Sequence, residues 1–154
     1  YFPIDEQHPT YNEDPYSLSK WICEEQGDSI ARRHENMTIA SMRFHWVVQE
    51  RAVAVEHARR LGGVLAKHLF GYTVLDAASR ACLLSLTADY KGHEVFYIIA
   101  PHTTEETPSI ELARQYFPDV PVRGDLSGTR GFFDCSKAER LLGWQHDQQE
   151  SIAQ

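Results

Sequence analysis

The sequence has little that would cross-link it or place it in a membrane. Its three cysteines, Cys23, Cys82 and Cys135, are odd in number and far apart. That excludes a disulfide framework and fits reduced thiols. The longest strongly apolar run, Val95 to Ala100, is far too short to span a bilayer. No block of Lys and Arg occurs, and the 154 residues carry a net charge of −7. This balance argues against a general nucleic-acid binder. The eight histidines form no H-x-x-x-H or H-E-x-x-H unit, so no metal is expected. No Gly-x-Ser-x-Gly elbow supports a hydrolase. A Gly-rich dinucleotide turn is missing as well. Gly124, Gly128 and Gly131 imitate one, but they sit in a late loop and read as turn glycines.

What remains is ordinary globular usage, 42% hydrophobic and 24% charged, at a length suited to one compact domain or part of a larger one. The first residues have neither a basic start nor an apolar stretch, so no secretory leader and a cytoplasmic location are expected. Tyr1 is not a start methionine, and Pro3 and Pro9 lie among polar residues as in the middle of a loop. The expectation is a piece of a longer protein.

Asp14-Pro15 opens a helix expected to run to His34, with Gly27 interrupting its apolar pattern. Met37 to Phe44 reads as a strand. Val47 to Leu61 reads as a helix stopped by Gly62-Gly63. A short strand around Tyr72 to Val74 leads to a helix, Ala77 to Tyr90, capped by Asp76. Glu94 to Ile99 is the strongest strand. A helix follows from Thr107-Pro108 through Tyr116, then a short strand at Val120 to Arg123. A last helix is capped by Asp134-Cys135-Ser136 and ended by Gly143, and a polar tail follows Trp144. Strands and helices alternate, so the expected class is α/β.

Tyr16 and Lys20 form a Y-x-x-x-K unit at the start of the first helix. Four-residue spacing puts both side chains on one face. An ammonium near a phenol favours its ionised form, and lysine has donors to spare for ribose hydroxyls. Such pairs also occur by chance on helices.

Further blocks accompany this one. Asp14 to Lys20 with Glu24-Glu25 resembles the active-site helix of the extended short-chain dehydrogenase/reductase family, which includes NAD-dependent sugar epimerases and dehydratases. Phe2 to Pro9 is similar to the P-x-x-E-x-x-P loop before that helix, and Met42-Arg43-Phe44 to the L-R-x ending the next strand. Gly71 to Ala78 resembles the Y-x-x-V-x-D-x-A junction, and Gly92 to Pro101 the G-x-x-Y-N-I strand. Phe133 to Ala138 with Leu141 to Trp144 resembles the closing D-x-S-K-A-x-x-x-L-G-W.

The resemblance implies an α/β fold built as a partial Rossmann-like, doubly wound sheet plus a small C-terminal substrate-binding α/β region. Residues 1–48 would end the cofactor-binding domain. Residues 49–154 would be mostly substrate-binding, with a return strand at 94–100. It implies an NAD(P)-dependent epimerase, dehydratase or oxidoreductase acting on a sugar or nucleotide-sugar. Tyr16 would be the acid/base, and Lys20 would bind the ribose of NAD or NADP. His45 would approach the nicotinamide and Trp46 the substrate. Arg123 and Arg130 would hold substrate phosphate, or else be solvated loop arginines. His45-Trp46-Val47-Val48 stands where many members have N-x-Y-G-P, which leaves reduction of a non-sugar carbonyl open. The family's fingerprint and its catalytic Ser or Thr precede this stretch, so the isolated chain is expected to be inactive. A non-catalytic truncated remnant serving as an interaction module is the other class. The helix 15–34 would form a homodimer through Trp21 and Ile22, or these would face their own sheet. No nucleic acid or membrane partner is expected.

Overall fold

The computed structural model describes residues 1–148. The end of the polar tail, 149–154, lies outside the described residues.

Helix α1 (Pro15–Arg33) starts where Asp14 caps it: Oδ1 accepts from the Ser17 amide at 2.9 Å, and Pro15 fills the first turn. The helix runs through Gly27 to Arg33, close to the expected end at His34. Gly27 is the one buried residue of α1, and an added Cβ would lie 2.9 Å from the His93 ring. The glycine permits close approach rather than ending the helix.

Strand β1 (Thr38–Phe44) leads into β2 (Val47–Val48), which takes the first residues of the expected second helix. Helix α2 (Arg51–Leu61) stops at Gly62, whose φ is +53°, and a 3₁₀ helix continues from Gly62 to His68. Strand β3 (Thr73–Val74) runs directly into α3 (Leu75–Ser85). Asp76 does not cap α3. It lies inside the first turn and pairs with Arg80 one turn later. The helix also ends short of Tyr90. Strand β4 (Gly92–Ile98), helix α4 (Ser109–Tyr116) and helix α5 (Ser136–Leu142) follow. Val120 to Arg123 makes an isolated bridge from Val122 to Phe2 instead of a strand. Asp134 Oδ1 accepts from the Ser136 amide at 2.8 Å, and Gly143 at φ +66° ends α5.

β1 and β4 pair in parallel, Thr38 opposite Gly92 through Phe44 opposite Ile98; β2 and β3 also pair in parallel. Past the carboxyl ends of β1 and β4, Thr73 wedges between them. Its fully buried hydroxyl accepts from the His45 amide at 3.1 Å and donates to the Ile98 carbonyl at 2.7 Å. The Ala100 amide donates to the Tyr72 carbonyl at 2.8 Å. The class is therefore α/β with parallel strands.

Strand alternation separates the two faces of the β1–β4 pair. Met42, Phe96 and Ile98 pack against α3 and α5, with Ala77, Ala81, Ala138 and Leu142. The opposite face, under α1, carries ion pairs and hydrogen bonds beside Ile39, Val95 and Tyr97. Arg43 holds Glu24 with two bonds of 2.8 and 2.7 Å. His93, its side chain 2% exposed, contacts Asp28 through Nδ1 at 2.9 Å and Ser41 Oγ through Nε2 at 2.8 Å. A second core joins Phe2 to Leu65, Phe70, Leu112 and Phe132, so the first residues pack with the C-terminal region.

Gly27→Ala tests the close approach. Alanine favours a helix interior by about 1 kcal/mol, but overpacking costs about 1–3 kcal/mol. His93 is fixed at both nitrogens, so overpacking prevails. A lowered urea midpoint is expected, and an unchanged or raised one contradicts the packing.

Candidate functional site

The first two turns of α1 carry Tyr16 and Lys20 to the carboxyl end of the β1–β4 pair. There they line a groove of about 320 Å³ with Trp21, Arg43 and Tyr97, roofed by the 8–12 loop. Lys20 Nζ lies 5.1 Å from the Tyr16 ring centroid. Tyr16 is 70% exposed, and Lys20 has no carboxylate partner among the described residues. The pair is therefore open to a ligand. The groove's second phenol, Tyr97, differs. Burial pushes its pKa above the usual value although the Arg43 guanidinium opposes this, so it stays protonated. The loop over the groove is anchored where Glu6 Oε1 accepts from the Tyr97 amide at 2.8 Å.

A larger cavity of about 600 Å³ opens beside the end of β4, bounded by Ile99, Pro101, Phe133, the 124–131 loop, α5 and Trp144 to Asp147. Arg130 lines it, with Nε 3.0 Å from Asp125 Oδ2. Phe133 stands between the two spaces, its ring centroid 5.2 Å from that of Tyr97.

The other residues singled out in the sequence lie elsewhere. His45 is half-buried between His68 and Phe133, with ring centroids at 5.6 and 5.8 Å. Burial, aided by His68, lowers its pKa to about 4, and Nε2 is enclosed without a protein partner. Its imidazole is neutral near pH 7. Trp46, at φ +43°, stacks on His57 at 5.3 Å. Neither borders the two cavities described. The Arg123 guanidinium lies 4.3 Å from the centroid of the Tyr1 ring, and its amide donates to the Phe2 carbonyl at 2.7 Å. The structure thus brings Tyr16 and Lys20 together, puts Arg130 in the neighbouring cavity, and sets His45, Trp46 and Arg123 outside both. On α1, Trp21 borders the groove, whereas Leu18 and Ile22 are exposed on the helix.

Among the described residues no cluster of His, Cys, Asp and Glu could hold a metal ion, and no helix is long and apolar enough to cross a membrane. Sequence reasoning missed the larger cavity and the Asp28–His93–Ser41 chain. Both are assembled from segments distant in sequence, and only the strand register would have pointed to the second.

No family model matches the chain, and no curated protein matches it. Solved structures do match in fold. MoeE5 in complex with UDP-glucuronic acid and NAD is 18% identical with a TM-score of 0.60, over 95% of this chain and 55% of that one. UDP-glucose-4-epimerase from Stenotrophomonas maltophila, with bound NAD and formylated UDP-arabinopyranose, is 20% identical with a TM-score of 0.59, over 96% and 54%. WbmG from Bordetella bronchiseptica, in complex with NAD and UDP, is 18% identical with a TM-score of 0.54, over 96% and 49%. The chain spans about half the length of these structures. At such identity the likeness establishes the fold, a partial Rossmann-like α/β arrangement.

Cys135 sits at the cap position of α5, but burial dominates and pushes its thiol up to about 12. Cys23 and Cys82 are exposed. A thiol reagent at mild alkaline pH is expected to modify Cys23 and Cys82 in the folded chain and Cys135 only after denaturation. Modification of Cys135 at a matching rate contradicts its burial.

Proposed function

We propose that the chain is the C-terminal part of an NAD(P)-dependent oxidoreductase of the epimerase/dehydratase type, acting on a sugar or nucleotide-sugar. The observation that carries this reading is the open Tyr16–Lys20 pair at the carboxyl end of the parallel β1–β4 pair. That is the place where open α/β sheets bind ligands. The NAD and UDP-sugar ligands named for the similar structures support it. So does the free edge of β1, which has β4 on one side and no strand on the other among the described residues. A further part of a longer sheet would cover that edge.

The residues present fit the ribose end of NAD or NADP. Lys20 has an unpaired ammonium to donate to ribose hydroxyls. The chain contains no Gly-rich strand–helix turn for the pyrophosphate, so this part of the cofactor would be held by upstream sequence. When bound, the nicotinamide supplies or accepts hydride. Tyr16 Oη then takes the proton from a substrate hydroxyl, or returns it to a carbonyl, and Lys20 supplies positive charge beside the phenol. Arg43 and Tyr97 form the floor beneath the pair, locked by Glu24 and Glu6. Leu18 and Ile22 are the proposed contact surface for a second copy of the chain.

Tyr16→Phe in the protein extended upstream through its Gly-rich turn is expected to lower kcat by about 10²–10⁴ with little change in KM. Activity kept within a few-fold overturns the assignment.

A further inference from the structure

We infer that the larger cavity takes an uncharged polyhydroxylated ring, a free sugar or cyclic polyol, and rejects a nucleoside diphosphate. The inference rests on the oxidoreductase reading and narrows its substrate class. A volume of about 600 Å³ lies within the usual range for small-molecule sites. The cavity also lies next to the acid/base groove: Phe133 of its lining packs on Tyr97 of the groove, with ring centroids 5.2 Å apart.

The charges of the lining decide what can enter. Four carboxylates border the cavity, Asp125, Asp134, Glu139 and Asp147, against one guanidinium, Arg130. Arg130 is already paired with Asp125. Arg123, the other arginine near this loop, lies over the Tyr1 ring and outside the lining. His146 also borders the space, but its Nδ1 contacts Asp147 Oδ1 at 2.7 Å. Among the described residues, four carboxylates thus outnumber one guanidinium, which is itself engaged at Nε, so the lining's net charge is unfavourable to a diphosphate.

Hydrogen-bonding chemistry points the same way. Ionised carboxylates and phosphate oxygens both only accept, so they share no proton and repel. Sugar hydroxyls donate to carboxylates. Asp134 and Glu139 each have one oxygen engaged, by the Ser136 amide and by Gln145 Nε2. Their other oxygens can receive hydroxyls. The Phe133 ring, which lines the cavity and packs on Tyr97 of the groove, offers an apolar face for the carbon side of a sugar ring. UDP-sugars are the ligands named for the structures of similar fold, so the lining predicts a departure from them.

The test is a titration of the isotope-labelled 154-residue chain by NMR. One panel holds free hexoses, pentoses and myo-inositol; the other holds UDP-glucose, UDP-galactose and UDP-glucuronic acid. At least one free sugar is expected to shift the Gly131, Ser136 and Gln145 signals, with a Kd at least about tenfold below that of every UDP-sugar. Added salt should tighten UDP-sugar binding by screening repulsion and leave free-sugar binding unchanged. The double variant Asp134→Asn/Glu139→Gln should narrow the gap between the panels. The inference is overturned if a UDP-sugar binds the cavity more tightly than every free sugar, or if no free sugar shifts those signals. Either result leaves the Tyr16 assignment standing, because the kcat of Tyr16→Phe reads that separately.

Discussion

Helix α1 is tied to its sheet by ion pairs and hydrogen bonds. Glu24 meets Arg43, and Asp28 meets Ser41 through His93, with Gly27 allowing the helix to settle onto the His93 ring. Charge-assisted, two-pronged pairs of this kind fix direction as well as distance. The position of Tyr16 and Lys20 follows from them. The apolar residues Leu18 and Ile22 are left exposed on α1 and are available to another surface. The other face of the same two strands packs hydrocarbon against α3 and α5.

Thr73 acts at the carboxyl end of the same two strands. Its hydroxyl bonds both the chain leaving β1 and the end of β4. Two spaces follow one another along the end of β4, with Phe133 between them. One contains an exposed phenol and a cation, suited to proton transfer and ribose contact. The other is rich in acceptors, suited to hydroxyl groups.

Much of the fold was legible because its signals are local. Asp14 caps α1, Gly143 in the left-handed region ends α5, and the runs 38–44 and 92–98 have the composition of strands. The Tyr16–Lys20 pair was legible for the same reason, since helical spacing alone puts the two on one face. The rest depends on partners that sequence spacing does not reveal. Gly27 interrupts the apolar pattern of α1, and only the structure shows the His93 ring beneath it. Asp76 looks like a cap until Arg80 takes it. The contact of Arg123 with the Tyr1 ring joins residues far apart in sequence. The surroundings of His45, with Thr73 on its amide and Phe133 and His68 beside its ring, are likewise set by residues distant in sequence.

Under the proposed function, Tyr16 and Lys20 form the acid/base and ribose-binding part of a cofactor site that lacks a part for the pyrophosphate. Calorimetric titration of the intact 154-residue chain with NADH tests this. No measurable binding heat is expected, with affinity appearing once a Gly-rich strand–helix segment is joined to it. Tight binding of NADH by the chain alone would show a complete cofactor site within these residues and contradict the placement of the fold.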